Sequence, residues 1–343
     1  MTPAAGAQMD VSVSLLRLFS RRLPFSVPTP TGFAALDEGV RAVVYPFIAG
    51  RPLDFAHLPG GPGIAAELGR ALAALHNLDL ALCEEAGLTS YDPDTYRTRR
   101  LADLDRAAAT GLVPAGLLSR WERCLEDVSL WRFAPTAIHG DLIGSEVLAV
   151  FNDDDAATGH IRGLTGWENA MVADPADDFA TLVTQAPAAA FDSVLEAYAH
   201  ARVERPDKYL ERRARLAGEL KTLSELLTAV GSGNKGAIAV CTDRLRKLDA
   251  ASIDELDAEP VEPTPPATRE APVNTTFTAR ANPDHDGTDP ANATGAPVVA
   301  ARAAGAGGLD EGEPDGHDGS AEVTVIIAVG DQEATSRQDR DGG

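Results

Sequence analysis

Lysine is missing from the first 207 of the chain's 343 residues, and only four lysines follow. Nothing in that long N-terminal stretch can hold a phosphate through an ammonium group. Cysteine is scarce as well. Cys83, Cys124 and Cys241 are odd in number, far apart and without paired spacing, which argues against a disulfide framework or a thiolate metal centre and suggests a reducing compartment. No segment approaches the roughly 18 uninterrupted apolar residues of a membrane span. The start, MTPAAGAQMDVSVSLLRLF, lacks the basic stretch and apolar run of a secretory leader. A cytoplasmic protein with no membrane partner is expected. Basic charge is also thin: the net charge is -22, and a nucleic-acid backbone would be repelled by a chain with no dense basic patch. Arg97, Arg99 and Arg100 come nearest to one, and their spacing from Asp103 and Asp105 reads as a solvated helix face, Arg99 and Asp103 being an i,i+4 pair.

What is present divides sharply near Ala250. Before it, Ala, Leu, Glu and Arg dominate with apolar residues at helical spacing. From Ala251 the sequence is Pro, Gly, Ala, Thr and acid, with 19 acidic against 5 basic residues. Such a composition buries too little apolar area to offset chain entropy, so residues 251–343 are expected as a disordered acidic tail on one folded unit. Within that unit, Asp10 to Arg22 reads as a short amphipathic helix. Thr31 to Leu36 and Arg41 to Phe47, split by Asp37-Glu38-Gly39, read as a β-hairpin. Helices are expected at Gly63 to Leu78, Asp94 to Thr110, Pro114 to Asp127, Pro175 to Val183 behind an Asp174 cap, Ala188 to Arg202, Lys208 to Val230 and Lys235 to Ala250. Val147 to Phe151 and His160 to Thr165 form a second hairpin. Periodicity alone gives an α+β protein that is mainly helical.

Ile138 to Ala180 carries the chemistry: IHGDLIGSEVL, a strand-like GHIRGLTGWENA, then ADPADDFA. Flanked by Trp131, Phe133 and Pro135 before it and by Leu142, Val147 and Leu148 within it, this stretch resembles the catalytic segment of the aminoglycoside and macrolide phosphotransferase family. There the usual pattern is HGDLHPGNVL, IDWE and GDPAYDLA. The resemblance implies a protein-kinase-like fold with a mostly helical large lobe over residues 51–250. Residues 1–50 would be a shortened small lobe and hinge. By the same resemblance Asp141 is the general base for a substrate hydroxyl, with His139 beside it in the catalytic loop, and Asp174 and Asp178 brace that loop. Glu146 stands where a metal-binding Asn is usual, Gly166 where a metal-binding Asp is usual, and Ser12 where the Lys-pairing Glu belongs.

A carboxylate at Glu146 can still take Mg²⁺. Glu168, two residues beyond Gly166, would leave an extended backbone on the same side about 6 to 7 Å away and is the other candidate metal ligand. Gly231 to Gly236 formally fits a phosphate loop but lies between two helices, so a Gly-capped turn is the better reading. VTVIIAV, residues 323–329, is the one apolar run of the tail. It reads either as a strand added to an exposed sheet edge, hence a candidate protein-partner segment, or as a sticky stretch kept soluble by flanking acid. Three functions stay open: a degenerate phosphotransferase that binds a small hydroxylated compound or a partner without transferring phosphate, an active O-phosphotransferase using ATP and Mg²⁺, and a scaffold working through its tail.

Overall fold

The computed structural model describes residues 13–35, 41–152, 155–251 and 323–327. Residues 10–12, Ser12 among them, and the rest of the tail, including residues 328 and 329, lie outside the described residues. The first helix, α1, covers residues 13–19 and stops short of Arg22. Leu15, Leu16 and Phe19 bury its inner face, with Phe19 edge-on to Trp167 at 5.3 Å between ring centres.

β1 (Gly32–Ala35) and β2 (Arg41–Pro46) form the first expected hairpin in antiparallel register, Gly32 opposite Val44. A two-stranded hairpin alone is marginal in water. Here a third strand from the far end of the chain, Val323–Ile327, pairs antiparallel with β2, Val44 opposite Val325. Of the two readings of VTVIIAV, the structure has the added strand, supplied in cis.

β3 (Arg51–Pro52), β5 (Val147–Val150) and β6 (His160–Leu164) make a second antiparallel sheet of order β3-β5-β6. β4 (Thr136–Ile138) and β7 (Met171–Ala173) pair as a short ribbon. That ribbon sets the HGD loop, which follows β4, beside Asp174 to Asp178, which follow β7.

The helical body has two apolar clusters. In the first, α2 (Ile64–His76) packs on α7 (Ala188–Ala201) through Leu68, Leu72 and Leu75. Gly69 makes that approach possible, since a Cβ there would meet the Val194 carbonyl at 2.2 Å. In the second, Trp121 and Leu125 of α5 (Ala115–Glu126) pack with Leu104 of α4 (Pro93–Ala109) and with Leu216, Leu220 and Leu223 of α8 (Leu210–Gly231). Asp92 caps α4 by accepting from the Thr95 amide at 2.8 Å. A three-residue link then leads to α9 (Lys235–Ala251), Gly233 taking φ +66° in the turn. Lys235 begins a helix there, so the phosphate-loop lookalike is an inter-helix turn.

The expected helix from Pro175 opens as a 3₁₀ segment (Pro175–Phe179) and becomes α6 only at Ala180–Gln185. Aspartates in the first segment are drawn to partners elsewhere, and the tighter winding accommodates them. α3 (Leu80–Glu85), β3, β4 and β7 were not legible. Among the described residues no helix is long and apolar enough to cross a membrane.

The third strand carries a direct consequence. Deleting residues 323–343 should raise hydrogen-exchange rates of the Ala42 to Tyr45 amides by about tenfold or more while leaving α2 and α7 protected. Unchanged exchange in β2 would show that its pairing with residues 323–327 contributes no protection.

Candidate functional site

Asp178 is fully buried, and its carboxylate organises the HGD loop. Oδ2 accepts from the His139 backbone N–H at 2.9 Å and from His76 Nε2 at 3.0 Å, while Oδ1 accepts from the Gly140 N–H at 2.8 Å. Gly140 needs its missing side chain: φ is +86°, and a Cβ would meet the Asn169 carbonyl at 2.2 Å. The other His76 nitrogen, Nδ1, lies 2.8 Å from the Tyr198 hydroxyl. Burial pushes the His76 pKa below its ordinary value, against the pull of Asp178. The ring is therefore neutral, donating to Asp178 and accepting from Tyr198. Burial alone would raise the Asp178 pKa, but the hydrogen bonds it accepts from His76 and the His139 amide hold it below the usual carboxylate range.

Asp174 is the second anchor, capping the 3₁₀ segment through the Ala176 amide at 3.0 Å and receiving Arg213 Nε at 2.7 Å. Arg213, buried on α8, also reaches Asp207 and the Leu130 carbonyl. Asp178 thus bonds the loop directly, whereas Asp174 bonds its own segment and Arg213; Arg213 and His76, unnoticed in the sequence, tie the two aspartates to α8 and α2.

Asp141 projects from this loop and is half-exposed, ion-paired with Lys221 of α8. His139 does not reach the same space. It is fully buried, its Nε2 donates to the Thr165 carbonyl at 2.6 Å, and its ring lies 4.9 Å from that of Trp167. The catalytic role expected for His139 is corrected by this placement: its side chain positions the loop and has no path to an acceptor.

Glu146 and Gly166 occupy one space between them. A Cβ on Gly166 would fall 2.1 Å from Glu146 Oε1 and 2.3 Å from its Cδ, closer than atoms can approach. The Glu146 carboxylate lies where a side chain on residue 166 would begin. Burial pushes its pKa up, with Asp141 and Glu168 adding to the rise and His139 opposing it. Its Oε2 is buried without a hydrogen-bond partner.

Glu168 does not follow the sequence expectation. Gly166 takes the left-handed conformation, φ +78° and ψ 42°, and residues 167–169 wind into a 3₁₀ turn. The extended geometry that would have sent Glu168 to the side of residue 166 is absent. Its charge is still felt at Glu146 and at Tyr45. Among the described residues, no three of His, Cys, Asp and Glu converge as a metal cage. An orphaned Glu146 oxygen does fit one divalent ion, because Mg²⁺ binds through one or two carboxylates and takes its remaining ligands from phosphates and water.

Beside Asp141 opens a cleft of about 620 Å³ between the loop, α4 and the α8–α9 corner. Lys221, Ser224, Glu225 and Thr228 stand at helical spacing on the α8 face that lines it. That polar stripe is the one signal in the sequence that could have marked the wall. Across the cleft, Arg100 is held charged by Tyr96 and Asp177 in spite of burial, with Arg100 Nη2 3.1 Å from Asp177. Arg97 donates to the Leu125 carbonyl, and Arg99 lies over the Tyr91 ring at 5.0 Å. Of the three arginines expected to form a solvated face with Asp103 and Asp105, Arg97 and Arg100 are engaged inward and Arg99 stays exposed. Asp103 is paired with Arg106 instead.

A helical body whose HGD loop rests on a following DPADD segment, with a carboxylate at the lip of a substrate-sized cleft, defines a kinase-like small-molecule phosphotransferase fold. A model of the phosphotransferase enzyme family (APH) matches residues 7–217, more than half of the chain. The chain belongs to that family. Its fold is similar to the apoenzyme of macrolide 2'-phosphotransferase MphH from Brachybacterium faecium, at 26% identity and TM-score 0.60 over 71% of this chain and 81% of that one. A macrolide 2'-phosphotransferase type I matches at 25% identity and TM-score 0.60, covering 71% and 80%. The GDP and kanamycin complex of APH(2")-IIia shares the fold at 19% identity and TM-score 0.61, covering 72% and 83%. The uncharacterized protein YcbJ of Bacillus subtilis (strain 168) is 27% identical over 149 residues, 40% of this chain and 47% of its own length. The match thus spans about half of that curated relative.

Asp178→Ala should destabilise the chain by about 3 to 5 kcal/mol in urea unfolding, because it leaves buried donors from His76, His139 and Gly140 unpaired. Acidification should act through His76. Its folded pKa is depressed, so below about 6.5 the unfolded chain takes up the proton first and stability falls as pH falls. Asp178 adds its own loss only lower, as pH drops through its depressed value. The urea midpoint should decline from pH 7 to pH 5, and the decline should shrink in His76→Gln. An equal slope in that variant would refute the assignment.

Proposed function

We propose that this chain binds a small hydroxylated molecule in the cleft beside Asp141 and is impaired in phosphoryl transfer. Phosphoryl transfer depends on positioned charge: groups that hold the phosphates, metal ligands, and a base for the acceptor hydroxyl. The observation that carries the reading is the Glu146 carboxylate lying over Gly166. One side chain fills the place of two metal-binding groups. Losing a charge-stabilising group of this kind commonly lowers turnover by about 10² to 10³-fold. One further feature supports the reading: Asp141 is already engaged by Lys221.

Asp141 would receive a proton from an acceptor hydroxyl in the cleft through the oxygen that Lys221 does not hold. A bound magnesium ion would neutralise charge on nucleotide phosphates, and Glu146 is the residue placed to hold it. That orphaned oxygen favours a second reading, an active O-phosphotransferase using ATP and Mg²⁺ with Asp141 as base. The cis pairing of residues 323–327 favours a structural role for that segment over the tail-scaffold reading.

Titration calorimetry with Mg-ATP and Mg-GTP separates the two enzymatic readings. The impaired form should give no saturable heat in the micromolar range. Micromolar binding together with phosphorylation of an alcohol, abolished in Asp141→Ala, would establish the active one. The paired exchange Glu146→Asn with Gly166→Asp should tighten Mn²⁺-nucleotide binding by about tenfold or more, read from the Mn²⁺ paramagnetic signal. Gly166→Asp alone should instead destabilise the fold by about 1 to 3 kcal/mol through overlap with Glu146.

A further inference from the structure

The strand at residues 323–327 pairs with β2 along its length from Ala42 to Pro46, with Tyr45 opposite Thr324 and Pro46 opposite Val323. Residues 252–322 separate it from α9, so the pairing closes a long loop. Loop closure costs chain entropy, and a five-residue ladder that must offset it opens more readily than pairings between neighbours in sequence. The β2 edge is thus a docking surface with a tethered occupant. Its consequence lies in what the hairpin is fastened to.

Both ends of the hairpin are fixed to β6, the strand that runs toward Gly166. Ahead of β1, the Ser26 N–H donates to the Arg162 carbonyl at 2.9 Å, and the Ser26 carbonyl accepts from the Leu164 N–H at 3.0 Å. Just past β2, Ile48 packs so close to Gly163 that a Cβ on residue 163 would meet Ile48 Cγ2 at 2.8 Å. Two residues beyond Gly163, the Thr165 N–H donates to the Glu146 carbonyl at 3.0 Å, and the Thr165 carbonyl accepts from His139 Nε2. Gly166 then opens the turn that ends at Asn169, whose carbonyl lies against Gly140. Tyr45 on β2 adds a second tie: burial raises its hydroxyl pKa, and the charge of Glu168 in that turn raises it further. Contacts therefore run without a break from the β2 edge to the backbone around Glu146 and the HGD loop.

We propose that docking of residues 323–327 on the β2 edge sets the geometry of residues 165–169, and with it the affinity of Glu146 for a divalent ion. The docked strand turns a marginal two-stranded hairpin into a three-stranded sheet, which holds Ser26 and Ile48 on β6 and Thr165 on Glu146. When the strand leaves, that hold slackens. The far end of the chain then acts on the site through backbone pairing alone, since none of residues 323–327 lines the cleft. The inference rests on the reading of Glu146 as a place for one divalent ion and names what controls it.

The test uses the full chain and the paired substitution Thr324→Pro with Val325→Pro. Successive residues of an antiparallel ladder direct their N–H groups alternately toward and away from the partner, so one of the two prolines removes a bond to β2 whichever residue carries it. The charge of the tail is unchanged. Hydrogen exchange in the variant should rise about tenfold or more along β2 and about threefold or more at the Thr165 and Ala170 amides, with α2 and α7 unaltered. Mn²⁺ added alone, followed by paramagnetic broadening of the Thr165 and Gly166 amides, should be needed at about threefold higher concentration in the variant. By linkage, the same ion should slow exchange along β2 in the unaltered chain. Exchange that rises in β2 but not at Thr165 and Ala170 would overturn the coupling, as would exchange unchanged in β2. Broadening at equal Mn²⁺ in both chains would overturn the effect on the ion. Broadening in neither chain would instead overturn the ion reading of Glu146, while faster exchange at Thr165 would leave the coupling to residues 165–169 standing.

Discussion

Three donors meeting on one buried carboxylate hold this molecule's central loop in place. Asp178 receives the backbone N–H groups of His139 and Gly140 on one side and the His76 imidazole on the other. A buried carboxylate is expensive to desolvate, and it is tolerated here because charge-assisted hydrogen bonds replace the water it loses. The loop is thereby fastened to α2 through His76, which also bonds Tyr198 of α7. In parallel, Asp174 and Arg213 fasten the same segment to α8. This framework is independent of whatever Asp141 does at the loop's tip. A chain can therefore retain the architecture of its family while the reacting groups drift.

The charges at the loop's tip have a pattern of their own. Asp141 is neutralised by Lys221, and Glu146 lies beside Gly166 with one oxygen unsatisfied. Each carboxylate that lines the cleft is paired with a cation, and two of those cations, Arg106 and Arg244, stand outside the lining. Fold and site report on different things: the first follows the buried carboxylates and helix packing, the second a handful of exposed charges.

Much of this architecture was legible in the residues. Leu68, Leu72 and Leu75 on one stripe of α2, the Asp92 cap of α4 and the two hairpins announce themselves through local period and local chemistry. Strands of two or three residues, such as β3, β4 and β7, are too short for any period to show. The site was legible in outline, since HGD and DPADD are contiguous motifs. Its decisive contacts were not. Arg100 finds Asp177 at a separation of 77 residues and Lys221 finds Asp141 at 80, so rules for neighbours three or four apart assign them to solvent. The extended backbone assumed around Glu168 gives way to a left-handed turn at Gly166, a conformation that glycine permits but no period announces.

The overlap of Glu146 with any side chain at position 166 couples the two positions. A Cβ on Gly166 would meet the end of a flexible glutamate, so that carboxylate must swing aside before a residue other than glycine fits, and the left-handed φ of +78° adds strain of its own. The two sites therefore change at least cost together, the shortening of one making room for the other.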